Sequence, residues 1–107
     1  MSSHGERLVE EVKRVALADP DRVYQRVGDV CLYTYAGRPS CLVGHAMWNL
    51  GMIDADFENY DYKVDNNDGV LDIVKALGIS LTKAESTFLC RAQSRQDCGQ
   101  AWGEAIS

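Results

Sequence analysis

Arg38-Pro39-Ser40-Cys41-Leu42-Val43-Gly44-His45-Ala46-Met47-Trp48-Asn49-Leu50-Gly51 is the stretch whose reading decides the fold. Residues 41–50 form a near-continuous apolar run between a start signal and a stop signal: Ser40 can cap a helix and Gly51 can end one. A helix that is apolar on almost every face has to be wrapped by other elements. The amphipathic segments on either side are therefore expected to pack around it, with Trp48 inside the core.

On the N-terminal side, Leu8, Val12 and Val15 recur at helical spacing over residues 3–18, and Val9 and Ala16 widen the stripe. Glu10 stands four residues before Arg14, which supports the same helix. Asp19-Pro20-Asp21 ends it, because the residue before a proline avoids the helical region. Two runs rich in β-branched and aromatic residues follow, Val23-Tyr24-Gln25-Arg26-Val27 and Val30-Cys31-Leu32-Tyr33-Thr34-Tyr35, separated by Gly28-Asp29. This pattern predicts a β-hairpin. Such a hairpin is marginal alone in water, so one face must lean on the helices: Cys31, Tyr33 and Tyr35, or Val30, Leu32 and Thr34. Residues 36–39 then form the turn into the central helix.

On the C-terminal side, residues 52–68 carry Asp54, Asp56, Glu58, Asp61, Asp65 and Asp68 with Phe57, Tyr60 and Tyr62 interleaved, and show no sustained period. They read as an acidic connection pinned by aromatics. Asp61, Asp65, Asn66, Asn67, Asp68 and Gly69 raise a calcium loop as the alternative, but the alternating carboxylates and distal glutamate of an EF-hand are missing. Val70, Ile73, Val74 and Leu77 then mark a third helix that Gly78 closes. Ser80 or Thr82 caps a fourth, with Thr82 and Glu85 at capping-box spacing and Ala84, Phe88, Leu89 and Ala92 as its inward stripe up to about Cys98. Trp102 and Ile106, four apart, suit a last helical turn that presses an aromatic onto the core.

The chain has 107 residues and no linker, repeat or low-complexity tract, so residues 1–107 are read as a single domain. Sixteen acidic side chains against 11 basic ones give a net charge of -5, which opposes a phosphate backbone and makes nucleic acid a poor default partner. No apolar h-region follows Met1 and no apolar window is long enough to span a bilayer. The expectation is a cytoplasmic protein with no membrane partner. Cys31, Cys41, Cys90 and Cys98 are then read as thiols in a reducing compartment rather than as two disulfides.

Three constellations bear on chemistry. Cys41 and His45 lie one helical turn apart and could offer two ligands to zinc, but no C-x-x-C pair completes a site, so no metal and no cofactor is expected. The same pair, with Asn49 another turn along, has the residue types of a thiol nucleophile, yet a buried apolar helix hides it from substrate, and no catalytic residue is assigned. Residues 70–95, with Leu77-Gly78-Ile79-Ser80 between two helical patterns, have the outline of a helix-turn-helix. That second helix would present Lys83, Glu85, Ser86, Thr87 and Arg91, a weakly basic set. The most distinctive polar set comes later: Arg91, Arg95, Gln96 and Asp97, then Trp102 and Glu104, read as candidate protein contacts because Trp and Arg are frequent interface anchors.

Pro39-Ser40-Cys41-Leu42-Val43-Gly44-His45-Ala46, with Gln93-Ser94-Arg95-Gln96-Asp97-Cys98-Gly99-Gln100-Ala101-Trp102-Gly103-Glu104-Ala105, resembles a group of small uncharacterised proteins of actinobacteria and actinobacteriophages. The resemblance runs from Tyr24 onward over most of the chain. What it implies is context: a bacterial cytoplasm, that of the host if the protein is phage-encoded, where small acidic proteins commonly bind host or phage proteins. It implies no activity.

The expectation is thus an α+β fold, mostly helical, with about four helices and a short β-hairpin packed around a buried central helix. The expected function is a non-enzymatic protein-binding module acting on a host or phage protein, with self-association into a homo-oligomer left open. The alternatives are a DNA-binding regulator using residues 70–95 and a zinc-stabilised domain.

Overall fold

In a computed structural model that describes residues 3–25, 32–58 and 69–107, the apolar stretch forms helix α2 (Leu42–Asn49). Leu42, Val43, Gly44, Ala46 and Met47 are all buried, which is what an all-round apolar sequence requires. Trp48 is only half-buried and Asn49 is exposed, so the last turn of α2 reaches the surface. The cap is Cys41, not Ser40: the Gly44 N–H donates to Cys41 Sγ at 3.3 Å. Ser40 is drawn away into a hydrogen bond with the Tyr24 hydroxyl at 3.0 Å. Gly51, at φ +73°, takes the left-handed conformation that ends the helix.

Helix α1 (His4–Ala18) starts where Ser3 Oγ accepts from the Glu6 N–H, and Leu8, Val12 and Ala16 form its buried stripe. It lies against α2, and Asn49 Nδ2 ties the two together by donating to Glu11 Oε2 at 2.9 Å. Glu11 also pairs with Arg14, one helical turn on, rather than the Glu10 that sequence spacing suggested.

The β-hairpin is real but sits elsewhere in the sequence. Strand β1 (Thr34–Tyr35) pairs antiparallel with β2 (Arg38–Pro39), Thr34 opposite Pro39 and Tyr35 opposite Arg38. Ala36 and Gly37 both have positive φ, +54° and +74°, as a type I′ two-residue turn demands. Residues 23–25 join no sheet, and residues 26–31, which include the Gly28-Asp29 turn and Cys31, lie outside the described residues. Neither expected face is used alone: Tyr33 and Thr34 are both buried, whereas Tyr35 is 51% exposed. The backbone explains the first two, because Ser40 N–H donates to Tyr33 O at 2.9 Å and Cys41 N–H to Leu32 O at 3.0 Å. These bonds press the start of β1 against α2. Gly44 permits that approach: a Cβ there would lie within 2.9 Å of the Tyr33 carbonyl carbon and Cα.

Residues Ala55–Glu58 make one 3-10 turn that brings Phe57 edge-on to Tyr33, their ring centroids 6.4 Å apart. Residues 59–68, with Tyr60, Tyr62 and most of the calcium alternative, are outside the described residues. Helix α3 (Val70–Ala76) buries Val70, Ile73 and Val74. Helix α4 (Lys83–Asp97) opens with both halves of the capping box in place, Thr82 Oγ1 accepting from Glu85 N–H and Glu85 Oε1 from Thr82 N–H. Its buried positions are Leu89, Ala92 and Gln96; Ala84 is exposed and Phe88 half-buried, so the stripe is rotated from the expected one. Helix α5 (Trp102–Ala105) is the last turn, with Trp102 and Ala105 buried. The fold is α+β and mostly helical, five α-helices and a two-stranded sheet among the described residues. No helix of the described residues is long and apolar enough to cross a membrane.

Candidate functional site

Two of the hydrogen bonds that hold α5 come from the turn after α1. Trp102 N–H donates to Arg22 O at 2.9 Å and Gly103 N–H to Pro20 O at 2.8 Å. Pro20 therefore does more than end α1: it bends the chain onto the start of α5, and Gly103 has room for only a hydrogen, since a Cβ would sit 2.9 Å from Pro20 Cβ. Trp102 becomes a hub. The Arg22 guanidinium carbon lies 4.5 Å from its ring centroid, a cation–π distance, and the His45 ring meets it edge-on at 5.2 Å.

Tyr24 next carries the chain to the hairpin. Its ring is buried, its hydroxyl accepts from Leu32 N–H at 2.9 Å, and it shares a hydrogen bond with Ser40 Oγ. Residues 22–25 and the hairpin thereby become the two walls of an open groove of about 440 Å³ with Tyr24 between them. Tyr35, 51% exposed, and Val23, 43% exposed, border it, and Arg38 projects from β2 at the same groove. Arg38 forms no ion pair with another described residue, whereas Arg22 stands 4.0 Å from Asp19. That exposed contact is screened by solvent and neutralises little. None of the lining residues among those described is acidic, on a chain of net charge -5.

The sequence-expected contacts are scattered by the fold. Gln96 and Trp102 are each 1% exposed and so are not surface anchors. Gln96 Oε1 accepts from the Leu42 N–H at 2.8 Å, which supplies a partner to the first turn of α2, and Gln96 Nε2 donates to Asp97 Oδ1 at 2.8 Å. Arg95 grips the chain end, donating to Glu104 O and to Ser107 O at 2.6 Å. Only Arg91 and Glu104 of that set are fully exposed. A helical stripe hides such a switch from sequence inspection, because a glutamine that caps a neighbouring helix looks like one that faces water.

Cys41 and His45 are adjacent but engaged locally. His45 Nδ1–H donates to Cys41 O at 2.9 Å, not to its sulfur, and Cys41 Sγ caps α2. Asn49, the third group, is bound to Glu11. Burial holds the His45 pKa below its ordinary value; the Cys41 hydrogen bond opposes this, and the Arg22 charge adds to it. Among the described residues no three His, Cys, Asp or Glu side chains converge as metal ligands. No disulfide joins Cys41, Cys90 and Cys98.

Helices α3 and α4 do pack together, joined through Gly78 and the Thr82 cap. The outward face of α4 carries Lys83, Thr87, Cys90, Arg91 and Ser94, while Glu85 is folded back into the capping box. Comparison with protein-family models, curated proteins and solved structures finds no match for this chain.

Proposed function

We propose that the chain is a small non-enzymatic protein-binding module, actinobacterial or phage-encoded, that engages a host or phage protein in the host cytoplasm through the groove between residues 22–25 and the hairpin. One observation carries this reading. Among the described residues the exposed large apolar side chains are Leu17, Val23, Tyr35 and Leu71, and two of them, Val23 and Tyr35, border the groove that also holds Arg38. Tyr and Arg are the residue types that anchor interfaces, and here an exposed ring and a guanidinium with no ion pair among the described residues border one groove. The test is site-specific photocrosslinking in cells, with the probe at position 35 and, as control, at Leu71. The reading expects one protein adduct at 35 and none at 71, and purified binding that Tyr35→Ala weakens at least tenfold, about 1.4 kcal/mol. Equal labelling at both positions, or turnover of a substrate that Cys41→Ala abolishes, would defeat it.

A second reading, a DNA-binding regulator, is favoured by the outward face of α4, which offers Lys83 and Arg91 and no carboxylate. It requires duplex binding that falls steeply with salt and weakens in the Lys83→Ala, Arg91→Ala double variant. Absence of a shifted duplex at low salt sinks it.

A further inference from the structure

We infer that the groove takes an extended, acidic segment of its protein partner, added alongside residues 23–25. This inference rests on the protein-binding reading above and names the chemistry of the occupant.

The peptide groups of Val23, Tyr24 and Gln25 make no hydrogen bond to another described residue, although Tyr24 itself is buried. Chain with unpaired N–H and C=O groups at a groove is a template for β-addition. The opposite wall does not fill that need. Ser40 N–H is turned inward to Tyr33 O, which leaves Pro39 as the outward position of β2, and proline has no N–H to give. Residues 22–25 span about 13 Å if extended, at about 3.3 Å per residue, so the wall matches a segment of about four residues.

Among the described residues, Arg38 and Arg22 are the charged groups of the lining and no carboxylate joins them. The net charge of -5 disfavours a long polyanion, which brings many charges near the whole surface, but not a short segment that brings one or two. In an added strand, alternate side chains face the same way. Tyr35 and Arg38 stand opposite each other across the hairpin and share a face, so one set would meet the ring and the guanidinium together, which fits a segment with acidic residues at alternate positions.

The probes are the acetylated, amidated hexapeptide of alternating Val and Glu and its Val-Lys counterpart, titrated into the isotope-labelled protein and followed by amide NMR. In parallel, a random dodecapeptide library is selected on the wild type and counter-selected on the Tyr35→Ala, Arg38→Ala double variant, both positions being exposed. The inference expects the Glu peptide to shift and protect the amides of residues 23–25, Arg38→Ala to weaken it about tenfold, as loss of one charge-assisted contact does, and the Lys peptide to leave the spectrum unchanged. A library enriched in Tyr35-dependent peptides without carboxylates overturns the acidic occupant and leaves the protein-binding reading standing. No enrichment that depends on Tyr35 and Arg38, together with no shift at residues 23–25, overturns both.

Discussion

Replacing Gly44 with alanine sets helix propensity against packing, and the two predict opposite signs. Gly44 lies inside α2, where alanine is better than glycine by about 1 kcal/mol, so propensity alone predicts a more stable protein. The structure predicts the reverse. A Cβ at position 44 would overlap the Tyr33 carbonyl oxygen and come within 2.9 Å of the carbonyl carbon and Cα, all backbone atoms that no rotamer change can move. Relief requires β1 to retreat from α2. That retreat strains the Ser40 N–H to Tyr33 O bond, worth about 1 kcal/mol, and disturbs a core where overpacking costs about 1–3 kcal/mol. Subtracting the propensity gain leaves a net destabilisation of about 2 kcal/mol, and a Tm lower by roughly 8–16 °C. Urea unfolding followed by far-UV circular dichroism measures it. Gly51→Ala is the control, because Gly51 has positive φ but its Cβ would meet nothing within 4 Å, so only the conformational cost of about 1 kcal/mol applies. A Gly44→Ala protein as stable as the wild type, or more so, refutes the close approach of β1 to α2.

Ala36 occupies a left-handed position that favours Asn or Gly, so Ala36→Asn should raise stability by about 0.5–1 kcal/mol, read as a higher urea midpoint; a lower midpoint would argue against the type I′ turn. His45 has its folded pKa held below 6.5, so it is neutral in both states at high pH, and the unfolded chain takes up the proton first as pH falls below 6.5. Stability should therefore decline between pH 7.5 and 5.5, and His45→Gln should decline less; equal slopes for the two proteins would remove the basis for it. Gln96→Leu should leave the buried Leu42 N–H without its acceptor, costing about 1–3 kcal/mol and speeding exchange of that amide above its neighbours. Unchanged exchange at Leu42 would show that Gln96 is not its partner.

Where a side chain's role depends on its immediate neighbours in the chain, the sequence was legible. The capping box at Thr82 and Glu85, the stop at Gly51, the buried stripe of α3 and the extent of α1 are all local, decided within a turn or two of backbone. The hairpin among the described residues turns at Ala36-Gly37, which the sequence reading assigned to the turn into the central helix, and β1 is held there by hydrogen bonds from residues 40 and 41 and by the space that Gly44 leaves. The candidate groove was not legible at all. Val23, Tyr35 and Arg38 belong to two separate segments, and Tyr24, bonded to Leu32 and Ser40, is what joins them.

By itself, then, the amino-acid order determined which segments are helical, where most of them stop, and that the apolar run from Leu42 to Met47 must be largely enclosed, because those outcomes follow from period, capping and apolar content along one stretch. Only the tertiary structure decided that Gln96 turns inward while Tyr35 and Arg38 stay outside, and which of the two sequence readings of Trp102, core anchor or surface contact, holds. The physical reason is that a polar side chain goes inside when a distant group completes its hydrogen bonds, and an aromatic one when distant groups cover its ring. For Gln96 that group is the Leu42 N–H, 54 positions away in the chain, and the Trp102 ring is covered by His45 and by the Arg22 guanidinium.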